Sequence, residues 1–330
     1  MSFDQELIEE LKSERGVLYP FLNLLKDQTL DLEFRTEGFD IYYRGEVLVQ
    51  IRNGTTKYEY SASFRSVVNF DKIQHETICS ASSAQTWCDM CTYPLKKFWD
   101  ITLSNHNKTE REYQQLIVRE NNYSPVSIST DYFITNMEDS KKTDTVNANR
   151  SYMRPDLVSI RWDCGSQERK NERNKSKPYL PKLAIIEVKY GDNAIGNVIS
   201  DVKGEKADLV KHLNDAHEFL KNPKSVLLLK NESLNYFNQK RSLGLFKGIK
   251  DANQKIDQLS DEKPEYIIAL INHQPCSKRL LEIISDIDFS KFIHFDTYFA
   301  CSSNLGYGLY AKRMKNPSEL LAELEKDFPE

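Results

Sequence analysis

The sequence predicts an α/β protein whose strands and helices alternate over residues 106–330, preceded by a smaller α+β region at 1–105. Three observations carry this. Leu183-Ala-Ile-Ile186 is apolar at every position, as a central strand covered on both faces should be. Strand-like runs at Val226–Leu229, Tyr266–Ile271, Phe292–Ala300 and Tyr307–Ala311 are separated by helical or polar stretches. Between Leu32 and Phe64 the hydrophobic period falls towards two, with no helix implied.

The N-terminal region opens with Phe3, Leu7, Ile8 and Leu11 at helical spacing, then Leu22, Leu24 and Leu25, so two short helices are expected. Phe39–Tyr43, Val47–Ile51 and Tyr58–Tyr60 read as a meander turning at Arg44-Gly45 and Asn53-Gly54. Residues Trp87–Trp99 read as helical. The six cysteines are Cys79, Cys88, Cys91, Cys164, Cys276 and Cys301, scattered as reduced thiols would be. Cys88-Asp-Met-Cys91 has ligand spacing for zinc, but only Cys79 and His75 lie near to complete a site, so small buried residues are the favoured reading.

A polar cluster, Ser104–Asn107, marks the expected boundary between the two regions. Thr109 and Glu112 then form a capping-box pattern that starts a helix. Tyr113, Leu116, Ile117 and Glu120 share its inward face, which makes Glu120 a candidate acid of the site. Val126–Thr135 reads as a strand, Asn136–Asn149 as a polar linker, and Tyr152–Trp162 as the next strand. Between Asp163 and Pro181 five basic residues (Arg169, Lys170, Arg173, Lys175, Lys177) face three acidic ones (Asp163, Glu168, Glu172), a net charge of +2. So polar a segment should be a mobile loop able to touch phosphates. A helix from about Asp201 to Leu220 carries Val202, Lys206, Leu209, Leu213, Ala216 and Leu220 in one stripe; Lys206 either reaches a bound phosphate or snorkels to solvent. His212 and His217 are five apart and match no metal-binding pair. Asn238–Leu259 and Lys278–Ile284 are expected to be helical, as is Pro317–Asp327, while Phe292, Phe295, Tyr298 and Phe299 are expected in the core.

Composition sets broad limits. A chain of 330 residues with 39% hydrophobic and 28% charged residues is an ordinary globular protein of one elaborate or two simpler domains. No apolar run approaches the ~20 residues a membrane span needs. The opening Met-Ser-Phe-Asp-Gln-Glu lacks a basic and then apolar leader, so a cytoplasmic setting is expected. A net charge of −4 does not favour a nucleic-acid binder, although a local basic groove would suffice.

Chemistry concentrates on Asp156, Glu187 and Lys189. Alternation along the strand puts Leu183, Ile185, Glu187 and Lys189 on one face, so a carboxylate and an ammonium continue a buried strand. Burying them is costly without compensation, which a divalent cation on the oxygens of Asp156 and Glu187 would supply. Such a cation can polarise a phosphoryl oxygen and acidify a water, and a nearby lysine can orient that water or neutralise developing charge.

Pro155-Asp156 followed by Glu187-Val188-Lys189 resembles the PD-(D/E)XK nuclease superfamily of restriction endonucleases and related repair and defence nucleases, over Lys108 to about Leu220. The resemblance implies a restriction-endonuclease-like core with a central mixed β-sheet flanked by helices. It further implies Mg²⁺, with Mn²⁺ as substitute, held by Asp156, Glu187, Val188 and a helix acid, for which Glu120 fits better than Glu112, with Lys189 beside the attacking water. Lys206 and the basic loop residues would then contact nucleic acid, DNA ahead of RNA, with a homodimer a possible assembly and no membrane partner. The long Asp163–Pro181 segment departs from many relatives, which have a tight hairpin there, and reads as an insertion. Two alternatives stand beside this: a Pro-Asp strand start with an unrelated Glu/Lys pair, and a catalytically inactive member that binds nucleic acid or protein. Retention of all three charged residues together argues for activity.

Overall fold

The computed structural model describes residues 5–53, 58–61, 75–105, 109–138, 141–142, 152–166, 169, 180–196, 209–249 and 256–328. The chain packs as two compact units, 1–119 with 239–246, and 120–238 with 247–330.

In the first unit, α1 (Gln5–Lys12) buries Leu7, Ile8 and Leu11, and α2 (Tyr19–Leu24) carries Pro20 in its first turn and buries Phe21 and Leu24. The expected meander is an antiparallel sheet of five strands in sequential order: β1 (Leu30–Arg35), β2 (Gly38–Tyr43), β3 (Glu46–Asn53), β4 (Tyr58–Ser61) and β5 (His75–Ile78). Arg44 and Gly45 turn β2 into β3 with φ of 50° and 77°, the positive values a tight hairpin demands. The Asn53-Gly54 turn lies partly outside the described residues. Along β1, Leu30, Leu32 and Phe34 are buried, and so are the alternate residues Asp31 and Glu33. On that second face Lys240, from the 239–246 segment, places its Nζ 2.8 Å from Glu33 with both side chains at 0% exposure. Helices α3 (Ala81–Met90) and α4 (Lys96–Asn105) bury Trp87 and Trp99 and are joined by one π-turn, Cys91–Leu95. Pro94 sits in that turn, where its missing N–H interrupts the α ladder. Helix α5 (Thr109–Asn122) starts just after the polar cluster.

The second unit is built on a mixed sheet ordered β12-β11-β10-β9-β6, from β6 (Tyr132–Met137), β9 (Leu157–Arg161), β10 (Lys182–Tyr190), β11 (Glu265–Ile271) and β12 (Asp296–Cys301). Lys141–Lys142 and Tyr152–Met153 form a separate two-stranded ribbon, β7 and β8. β10 runs antiparallel to β9 and parallel to β11, and every residue from Leu183 to Lys189 is buried, as its continuous apolar run predicts. Helices α6 (Leu209–Leu220), α7 (Pro223–Ser242), α8 (Lys278–Asp286) and α10 (Pro317–Asp327) accompany the sheet, with a single turn, α9 (Ser302–Leu305), after β12. The α/β class is therefore as predicted. A true capping box closes the start of α10, Asn316 and Glu319 each bonding the other's backbone N–H. Among the described residues no helix is long and apolar enough to cross a membrane.

Several expectations fail locally. Val126–Ile128 belongs to a 3₁₀ turn, Pro125–Ile128, capped by Ser124 accepting the Val126 N–H at 3.1 Å, and the strand starts only at Tyr132. Val226–Leu229 is helical. It lies in the 20-residue α7, where Pro223 opens the helix and Leu227 and Leu228 are 59% and 48% exposed, and the helix stops at Ser242 rather than running to Leu259. Tyr307–Ala311 is not a strand: the Asn121 side chain takes the place of a partner strand, donating to the Tyr307 carbonyl and accepting from the Leu309 N–H, both at 2.9 Å. The run from Phe292 becomes strand only at Asp296. Phe292 and Phe295 stack with centroids 5.7 Å apart and, with Phe299, are core residues, whereas Tyr298 is only half-buried.

Candidate active site

Glu187 and Lys189 lie towards the C-terminal end of β10, 2% and 4% exposed, on the face they share with Ile185. The Lys189 ammonium donates to Glu187 Oε1 at 2.5 Å. Asp156 stands just before β9, half-buried, and its Oδ2 accepts the Val188 N–H at 2.7 Å. The local sequence explains that bond. β9 pairs Leu157 with Ile186, and continuing the register two residues sets Pro155 opposite Val188. Proline has no N–H to extend the ladder, so the ladder ends and the Asp156 side chain caps it. A strand residue points its N–H and C=O to the same edge, so the Val188 carbonyl also faces this side, with no amide donor on Pro155. The Asp156 carbonyl in turn accepts the Glu138 N–H at 2.8 Å, fixing it from the β6 side.

Helix α6 brings a residue that the sequence reading passed over. His212 Nδ1 lies 3.2 Å from Glu187 Oε1, so the lysine and the histidine converge on one carboxylate oxygen. The sequence carries a signal for it, since His212 is three residues after Leu209 and one before Leu213 in the buried stripe, although its five-residue spacing from His217 matches no metal pair. Wholly buried Tyr266 on β11 reports the field of the site. Burial pushes its phenol well above 10, and the negative charges of Glu187, Asp156 and Asp215 add to the shift. Burial also raises the carboxyl of Asp215 on α6.

The donor set suits a hard cation: two carboxylates and a backbone carbonyl free of the ladder are oxygen ligands of the kind Mg²⁺ and Mn²⁺ take. Among the described residues, no three His, Cys, Asp or Glu side chains are gathered closely enough to hold a metal unaided. Glu120 is half-buried in the last turn of α5. Glu112 grips Arg44 with both oxygens, at 2.9 and 3.1 Å; the Thr109 side chain, with which it is expected to form a capping box, lies outside the described residues.

Arg169 must be withdrawn from the phosphate-contacting set. It is buried, and its guanidinium donates to the carbonyls of Thr130 at 2.6 Å, Trp162 at 2.9 Å and Ser127 at 3.2 Å, over the Phe133 ring. Burial lowers its pKa, and the three carbonyls explain why an arginine is kept there. Replacing Arg169 with Met should lower unfolding free energy by about 1.5–3 kcal/mol, the range for hydrogen bonds to charged groups. Chemical denaturation of the two proteins checks this; equal midpoints would mean those carbonyls need no donor. Lys170, Arg173, Lys175, Lys177 and Lys206 lie outside the described residues.

Cys79, Cys88, Cys164, Cys276 and Cys301 are free thiols, and burial pushes that of Cys88 up to about 12. Compared with family models, curated proteins and solved structures, the chain matches none.

Proposed function

We propose that the chain is a metal-dependent nuclease with a restriction-endonuclease-like core, hydrolysing phosphodiester bonds in DNA ahead of RNA. The observation that supports it most is the meeting of Asp156, Glu187 and Lys189 at the ends of two neighbouring strands, with both β10 side chains buried. Asp156, Glu187 and the Val188 carbonyl would hold the ion. When bound, Mg²⁺ or Mn²⁺ supplies polarisation of a phosphoryl oxygen and a water acidic enough to attack. The protein's own residues do the rest: the two carboxylates orient their oxygens through the Val188 N–H and the Lys189 ammonium, and that ammonium offsets charge developing on the phosphate. The closed Lys189–Glu187 pair favours a second reading, a catalytically inactive member whose cluster is structural and which binds nucleic acid or protein.

Cleavage of single- and double-stranded DNA and of RNA, with Mg²⁺ or Mn²⁺ and then with excess chelator, separates the two. Hydrolysis that persists in chelator sinks the first reading. A sharper expectation concerns Lys189→Met, which keeps the apolar stem but removes the charge. Single-turnover cleavage should fall by about 10²–10³-fold, the usual cost of losing one electrostatic contributor. Mn²⁺ should bind no more weakly, because a cation that competes for Glu187 Oε1 has gone. Calorimetric titration reads the second half, and a large loss of Mn²⁺ affinity would make Lys189 a structural residue.

A further inference from the structure

Resting on the nuclease reading, we infer that His212 is a positioning residue that holds Glu187 and thereby releases Lys189 for the reaction. The geometry raises the need. Lys189 Nζ is 2.5 Å from Glu187 Oε1, which is where an ion-paired lysine belongs and not where it can serve a water or a phosphate. Turning that ammonium away would strip a donor from a carboxylate that is 2% exposed, and a buried carboxylate left short of donors is costly. His212 removes the obstacle: its Nδ1 approaches the same oxygen to 3.2 Å, so a small turn of the ring would bring an Nδ1–H donor onto that oxygen as the lysine leaves. The helix gives the imidazole a fixed mount. Leu209, Leu213 and Ala216 of α6 are buried on either side of His212 along the chain, while the His212 side chain remains 28% exposed, so the ring approaches Glu187 from a helix that is held down on both sides of it. For His212 to hold Glu187, Nδ1 is the nitrogen that must carry the proton.

Two measurements test the assignment. The first needs neither metal nor substrate: ¹⁵N-edited NMR of the imidazole in the full chain should show a proton on His212 Nδ1. An unprotonated Nδ1 overturns the inference by itself. The second uses the geometry of amide substitutes, since Asn places its N–H₂ near the position of Nδ1 and Gln near that of Nε2. His212→Ala and His212→Gln should lower single-turnover cleavage about 10–100-fold, as loss of an outer partner of a ligating group does, with DNA affinity unchanged. His212→Asn should recover most of the rate. Cleavage by His212→Ala at the wild-type rate, or equal loss in Asn and Gln, reduces His212 to packing and overturns the inference. If the wild-type chain cleaves nothing with Mg²⁺ or Mn²⁺, the nuclease reading fails, and the release of Lys189 fails with it, whatever the NMR shows of Nδ1.

Discussion

Asp156→Asn is expected to lower Mg²⁺-dependent hydrolysis by about 10³-fold or more while leaving the fold intact. The two halves of that expectation have separate causes. An asparagine carbonyl can still accept the Val188 N–H, now 2.7 Å from Asp156 Oδ2, so the end of the β9–β10 ladder stays capped. What is lost is the anionic oxygen, and an electrostatic contributor at a reacting phosphate is worth about 10²–10³ in rate even when neutral. Glu187→Gln should be as inactive but less stable, because it strands the buried Lys189 ammonium beside a neutral amide. Single-turnover cleavage beside thermal unfolding by circular dichroism checks both. Undiminished cleavage by either variant would dismiss the proposed site.

The largest stability effect is expected far from that site, at Lys240→Met. Lys240 and Glu33 form an ion pair at 2.8 Å with neither side chain exposed, so removing the cation leaves a buried carboxylate short of its partner. Breaking such a pair from one side costs about 3–5 kcal/mol, whereas replacing both partners with apolar residues of similar volume is often neutral. Lys240→Met with Glu33→Leu should therefore recover most of the loss. Urea unfolding of the single and double variants decides it, provided the slope is unchanged between them. A double variant as unstable as the single one would place the cost in packing or in the other polar groups nearby.

What the sequence made legible is what neighbours in the chain dictate. The unbroken apolar run at Leu183–Ile186 marked the central strand and Arg44-Gly45 marked a hairpin, whereas the single strand expected over Tyr152–Trp162 is broken at Pro155 into Tyr152–Met153 and Leu157–Arg161. Glu187 and Lys189 could be paired because period two fixes which residues share a face, and Asp156 was added for its carboxylate and its place in the Pro-Asp pattern. The failures share a cause as well. Arg169 looked like one charge among several in a polar run, but its fate is decided by carbonyls of Ser127 and Thr130, 42 and 39 residues earlier. His212 matters through an oxygen on another element, and Val226–Leu229 was too short a run for period alone to separate helix from strand.

The Lys240–Glu33 pair also has a consequence in time. The two residues are 207 apart, so on a ribosome adding about 5–20 residues per second the carboxylate emerges roughly 10–40 s before its lysine exists. Throughout that interval Glu33 lacks the ammonium that the 239–246 segment later brings to it. The N-terminal unit is thus first to be made and among the last to close, and a fragment ending at residue 119 reproduces the nascent state rather than the finished one. Limited proteolysis of such a fragment, with and without a peptide spanning residues 239–246, would display that wait at equilibrium.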